Sequence, residues 1–202
     1  MVYGGILIYC NSPINKWVFY LIHSHPEVKY RLMQELNTLD DLTNPEAITQ
    51  LPYLTAVCQE TLRIHPIALI CTPRMVKDKV EIMGHEFTSE TVLVPCIYLA
   101  HRRTETYPEA EQFRPERFLN QKFSPYEYFP FGGGYRGCIG AAFSMYELKL
   151  VTAIILSHFE LSLTDKRPVY PVRRGITIVP SGGVKMVVTK KAKVKRETIS
   201  FT

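Results

Sequence analysis

From residue 12 to residue 66 the apolar positions recur every third or fourth residue, which predicts a run of helices. Asn11-Ser12-Pro13 is a helix start, a capping side chain followed by proline at the first helical position. The helix continues through NKWVFYLIHS with Trp17, Leu21 and Ile22 on one face, and ends near His25-Pro26. A second helix over 26–39 carries Val28, Leu32 and Leu36 at four-residue steps with charges between them. Asn44-Pro45-Glu46 repeats the capping pattern. Residues 51–66 form a strong helix, with Pro52 near its start and His65-Pro66 ending it. At that helix end, His65 is expected to be an ordinary surface histidine.

Beyond Ile67 the period changes. VEIMGHEFT (80–88) and ETVLVPCIYLA (90–100) alternate or run apolar, punctuated by Gly84 and Pro95, and predict short strands. Residues 101–130 are irregular and rich in Pro, Tyr, Arg and Glu; a loop of that length usually serves a site or wraps a partner element. After Cys138 comes a long helix, then strand-like HFELSL, then GITIVP and VKMVVT joined by Ser181-Gly182-Gly183.

Composition narrows the classes. At 202 residues, 46% hydrophobic and 21% charged, the chain is a folded globular domain rather than a disordered one. The formal charge of +5 is mild and concentrates in a basic tail, 190–202, expected to be solvated and disordered. Elsewhere the signs alternate and leave no basic face for nucleic acid. The five cysteines, Cys10, Cys58, Cys71, Cys96 and Cys138, are irregularly spaced, without a CxxC pair or a secretory signal. A reducing, cytoplasmic setting follows. The opening MVYGGILIYC is apolar over too short a stretch to span a bilayer.

The chemistry concentrates in FPFGGGYRGCIG, residues 129–140. Gly132, Gly134 and Gly137 satisfy the GxGxxG spacing of a dinucleotide-binding turn. That motif needs a strand feeding the turn and an acid closing the next strand; here Pro130 interrupts the approach and Glu160 lies inside HFELSL. Cys58, Cys71 and Cys96 read as buried structural cysteines. Cys138 differs, because it opens a helix whose dipole favours a thiolate. Gly137 and Gly140 let the backbone approach something flat, and Arg136 adds a cation for a carboxylate. No partner set for a cysteine protease, zinc or an iron–sulfur cluster accompanies it. One thiolate, flat access and an arginine together suggest haem.

Phe131–Gly140 resembles the cysteine-loop signature of the cytochrome P-450 family, F-x-x-G-x-R-x-C-x-G, at every defined position. Glu60–Arg63 is similar to the family's E-x-x-R, and FRPERF (113–118) to the segment supplying a third network member, Arg117. The resemblance covers residues 12–189 and is closest to soluble bacterial, cyanobacterial-type members.

It implies a mainly α fold with small β-sheets (α+β), the C-terminal part of the P-450 fold, over a domain at 1–189. It implies that Cys138 is the axial ligand of haem b, with Phe131 packed over the sulfur and Gly132, Gly134 and Gly140 among the residues that bind the cofactor. Arg136 and Arg74 would bind the propionates, and a buried Glu60–Arg63–Arg117 network would hold the loop. The stretch Ile67 to Cys71, with Ile67, Ala68 and Leu69 foremost, and the turn residues Ser181 and Gly182 would lie on the substrate side. The implied activity is monooxygenation of a small lipophilic substrate, with electrons from a ferredoxin- or flavodoxin-type donor.

Relatives of this type are about twice as long, so a missing N-terminal half would carry most of the substrate pocket. The acid and alcohol of the oxygen-activating helix would fall at Leu7 to Asn11, where this chain has Tyr9, Cys10 and Asn11. A non-catalytic remnant, or thiolate–haem peroxygenase or isomerase chemistry, therefore stands beside the monooxygenase reading.

Overall fold

The computed structural model describes residues 12–39, 41–165 and 167–191. The expectations for Leu7 to Asn11, for the apolar opening and for the tail from 192 onward lie outside these residues.

Four helices begin the described chain: α1 (Pro13–Ser24), α2 (Pro26–Leu36), α3 (Pro45–Thr49) and α4 (Pro52–Ile64). Each opens on proline, whose fixed φ suits the first turn and whose missing N–H leaves no orphan donor there. The capping expectation holds at Asn44, whose side chain accepts from the N–H groups of Glu46 (3.0 Å) and Ala47 (3.2 Å). At Ser12 it does not: the side chain makes no cap bond, and only its carbonyl accepts, from Lys16 N–H at 3.3 Å.

The predicted apolar faces meet in one core. Val18, Leu21 and Ile22 of α1, Leu32 and Leu36 of α2, and Leu54 and Val57 of α4 pack with Leu148, Ala153 and Leu156 of α7 (Ala141–His158). His65 is half-buried beside this core rather than an ordinary surface residue. Its ring stacks on the buried Trp17 indole at 3.6 Å and 12°, and burial pushes its pKa down to about 3. Stacking on a large buried indole outweighs the exposure a helix end usually brings.

The strands form four separate two-stranded antiparallel sheets among the described residues. β1 (Arg74–Met75) pairs with β4 (Val92–Leu93), and β2 (Val80–Ile82) with β3 (His85–Phe87) around Met83-Gly84, both at positive φ. Pairing in 90–100 stops sooner than the apolar run predicts. Beyond Pro95, which has no N–H to offer a ladder, one bridge joins Cys96 to Ile70 and the chain then turns into α5 (Ile97–Ala100).

At the other end, β5 (Phe159–Leu163) pairs with β8 (Met186–Lys191), and β6 (Pro171–Arg174) with β7 (Thr177–Pro180). β6 is exposed along its whole length and so carries no alternation by which the sequence could reveal it. β8 runs through Lys191, so a tail boundary at 190 falls inside a strand. The long segment 101–130 is irregular as expected, holding one short helix, α6 (Arg117–Asn120), and anchored by buried Tyr107, Ala110 and Phe113. The fold is mixed, helix-rich with small sheets.

Candidate functional site

The site is built from α4 outward. Glu60 and Arg63, one turn apart on that helix, are both fully buried and form a bidentate pair: Arg63 Nε donates to Glu60 Oε2 (2.7 Å) and Nη2 to Oε1 (2.8 Å). Arg117 of α6 donates from Nε to Glu60 Oε1 at 3.0 Å, and the Arg114 backbone N–H reaches the same oxygen at 2.9 Å. Both guanidiniums are satisfied further by carbonyls of the irregular segment, Arg63 by those of His101 (2.7 Å) and Ala110 (2.8 Å), Arg117 by that of Pro108 (3.1 Å). The three residues expected to converge thus do so, and they pin the otherwise irregular stretch to α4.

From that stretch the chain enters the cysteine loop. Phe129 N–H donates to His101 Nε2 (3.0 Å), Gly132 N–H to Phe129 O (2.9 Å) and Cys138 N–H to Phe131 O (2.9 Å). Gly132 and Gly134 hold φ of +71° and +61°, a region glycine enters without the Cβ penalty. A turn of 3-10 helix covers Gly134–Arg136, and α7 starts three residues after Cys138, with Gly140 as its N-cap. Cys138 therefore precedes the helix rather than opening it. Its thiol is exposed.

Cys138 opens onto a cavity of about 510 Å³. Phe131, Gly132 and Arg136 line it from the loop; Ile67, Ala68, Ile70, Cys71 and Arg74 from the segment after α4; Ser144 and Leu148 from α7; and Ser12 to Ile14 from the start of α1. Two cations thus stand on a cavity whose walls are mostly apolar. Arg74 holds its guanidinium by donating to its neighbours' carbonyls, Thr72 O at 2.7 Å and Pro73 O at 3.3 Å. Arg136 makes no side-chain hydrogen bond with a described residue.

Not every expected residue comes to this cavity. Gly134 and Gly140 shape the loop without lining the cavity, and Leu69 does not line it either; its carbonyl accepts from Tyr98 N–H at 3.1 Å. Ser181 and Gly182 line a different cavity of about 560 Å³ beside Tyr20 and Tyr170, where Ser181 Oγ accepts from Tyr170 N–H at 3.0 Å. The element that meets the Cys138 cavity wall is instead β7, through Ile178 N–H to Ile67 O at 2.9 Å.

Cys71, expected to be a buried structural cysteine within the substrate-side stretch 67–71, is half-buried on the cavity wall, and desolvation there raises its thiol pKa. One contributor carried no sequence signal: His101 lies in a stretch without periodicity and is wholly buried where the network meets the loop.

Comparison with known proteins places this arrangement. Residues 12–186 match the family model for "Cytochrome P450". A Mycobacterium tuberculosis relative provisionally named cytochrome P450 135B1 is 38% identical over 134 residues, covering 66% of this chain and 28% of the relative. Pig cytochrome P450 3A29 is 38% identical over 146 residues (69% and 29%). Human cytochrome P450 4V2 is 33% identical over 175 residues (83% and 33%). The chain spans about a third of the length of these curated relatives.

Proposed function

This chain belongs to the cytochrome P450 family, and from that premise we propose that it is the haem-binding portion of a haem–thiolate monooxygenase, holding haem b through Cys138. One observation carries the reading: an exposed thiol and two arginines open onto one cavity with largely apolar walls. Haem is a flat apolar macrocycle with two carboxylates and a metal that accepts a soft axial ligand. The residues present fit it in kind. Cys138 offers the sulfur; Arg74 and Arg136 offer charge-assisted bonds to the propionates; Phe131, Ile67, Ile70 and Leu148 offer the apolar wall.

When bound, haem supplies oxygen activation and insertion of one oxygen atom into an organic substrate. The protein's part is to place and tune. Cys138 would supply the sulfur ligand, and the loop fixes its position through the bond from its N–H to Phe131 O. Phe131, half-buried on the same wall, excludes water from the sulfur side. Glu60, Arg63 and Arg117 keep the segment that feeds the loop from moving. Ile67 and Ala68 present a surface suited to a small lipophilic substrate. Electrons would come from a ferredoxin- or flavodoxin-type protein in the cytoplasm. Among the described residues no helix is long and apolar enough to cross a membrane.

The test is spectroscopic. The purified chain, reconstituted with haem, reduced and exposed to carbon monoxide, is expected to show the Soret band of a thiolate-ligated haem. Cys138→Ala should lose that band and Cys71→Ala should keep it. A histidine-type or haem-free spectrum from the unmodified chain overturns the proposal.

A further inference from the structure

His101 has no role in the motifs that mark this chain, yet it stands where the ion-pair network meets the cysteine loop. Its backbone carbonyl accepts from Arg63 Nη1 at 2.7 Å, and its ring Nε2 accepts from Phe129 N–H at 3.0 Å. Phe129 O in turn accepts from Gly132 N–H at 2.9 Å, at the first turn of the loop that ends in Cys138. A continuous run of hydrogen bonds therefore leads from Glu60, through Arg63 and His101, to the loop backbone.

The ring is clamped on several sides. Tyr128 stacks on it at 5.4 Å and 19°, while Phe129 (5.4 Å, 66°) and Tyr107 (6.3 Å, 73°) meet it edge to face. The clamps are themselves tied down, the Tyr128 hydroxyl donating to Gln59 O (3.1 Å) and that of Tyr107 to Glu127 O (2.9 Å). Because Nε2 accepts, the proton of the neutral ring sits on Nδ1. Nδ1 is buried and finds no partner among the described residues. An unsatisfied buried donor is costly, and a ring serving only to fill space would be replaced at less cost by phenylalanine. What histidine adds is the acceptor.

We propose that His101 is a positioning residue for Cys138, its Nε2 coupling the Glu60–Arg63 pair to the backbone of the cysteine loop. Neighbouring charge favours the same protonation state. Burial, reinforced by the Arg63 and Arg102 guanidiniums, pushes the imidazole pKa down to about 3, so the ring stays an acceptor across the working range of pH. The coupling itself is independent of any ligand; its consequence for haem rests on the function proposed above.

Two measurements on the whole chain test it. In hydrogen exchange read by mass spectrometry, His101→Phe keeps the stack and removes the acceptor. Exchange of the 129–138 backbone should rise about five- to tenfold, the scale of one net hydrogen bond, with α1 and α2 unchanged. His101→Gln, which offers an amide oxygen, should recover part of the protection. Unchanged protection of 129–138 in His101→Phe overturns the proposal. Imidazole nitrogen NMR of the unmodified protein needs no variant to fold: an Nδ1–H tautomer is expected, and an Nε2–H tautomer overturns the proposal. The two readings fail separately. Loosening of the loop in a chain that gives no thiolate–haem spectrum upholds the coupling and removes the haem assignment. A thiolate spectrum with undisturbed loop protection does the reverse.

Discussion

Glu60 shows how environment sets the worth of a charge. Its side chain is wholly buried and accepts from two guanidiniums and one backbone N–H. Removing its charge strands two cations in a medium that cannot solvate them. Glu60→Gln is expected to lower unfolding free energy by about 3–5 kcal/mol. The exposed Lys79–Glu86 pair, both members more than half accessible, provides the contrast; Glu86→Gln should cost less than about 1 kcal/mol. Urea titrations of both variants check the difference, and equal losses would refute the buried network's role. The sequence spacing announced the Glu60–Arg63 pair, since residues three apart share a helix face. It could not announce the carbonyls of His101, Ala110 and Pro108 that complete the shells of the two arginines, because those come from a segment without periodicity.

At the level of elements, the pattern was most informative where local rules act alone. Four prolines and one asparagine set the starts of α1 to α4, because first-turn geometry depends on the neighbouring residues themselves. α3 is the shortest of these and leans on its cap. Asn44→Ala, which leaves two first-turn N–H groups without their acceptor, should cost about 1 kcal/mol in chemical denaturation; no measurable loss would mean that packing alone holds α3. Strands were legible less often. β2 and β3 declared themselves through the tight turn at Met83-Gly84. β6 lies open to solvent and bears no hydrophobic signature, and the 90–100 run is divided between β4 and α5 by a proline and a tertiary contact. The Ser181–Gly183 connection links β7 to β8, yet each pairs with an earlier strand, so the turn points into a different cavity from the one expected.

At the scale of the whole molecule, α7 carries an apolar surface that lies open among the described residues. Leu148, Ala153 and Leu156 face the core, while Phe143, Tyr146 and Ile154, at spacings that place them on one stripe, lie exposed. A helix apolar on both sides belongs in an interior, and the chain spans about a third of its relatives' length. In isolation it is expected to self-associate with rising concentration, as large exposed apolar patches do. The double variant Phe143→Lys, Ile154→Lys should shift sedimentation towards monomer without loss of helix content. An unmodified chain that stays monomeric at high concentration would contradict this.

The sequence by itself determined the helical starts, the core-facing stripes, the glycine turn and the charge partners one turn apart on α4. Each follows from interactions between residues a few positions apart, whose geometry the backbone fixes in advance. Only the tertiary structure decided that His65 stacks on Trp17, that Cys71 is no more than half-buried, that Ser181 and Gly182 line a different cavity, and that His101 joins network to loop. Those outcomes depend on which distant segments meet, and long-range packing leaves no local period to read.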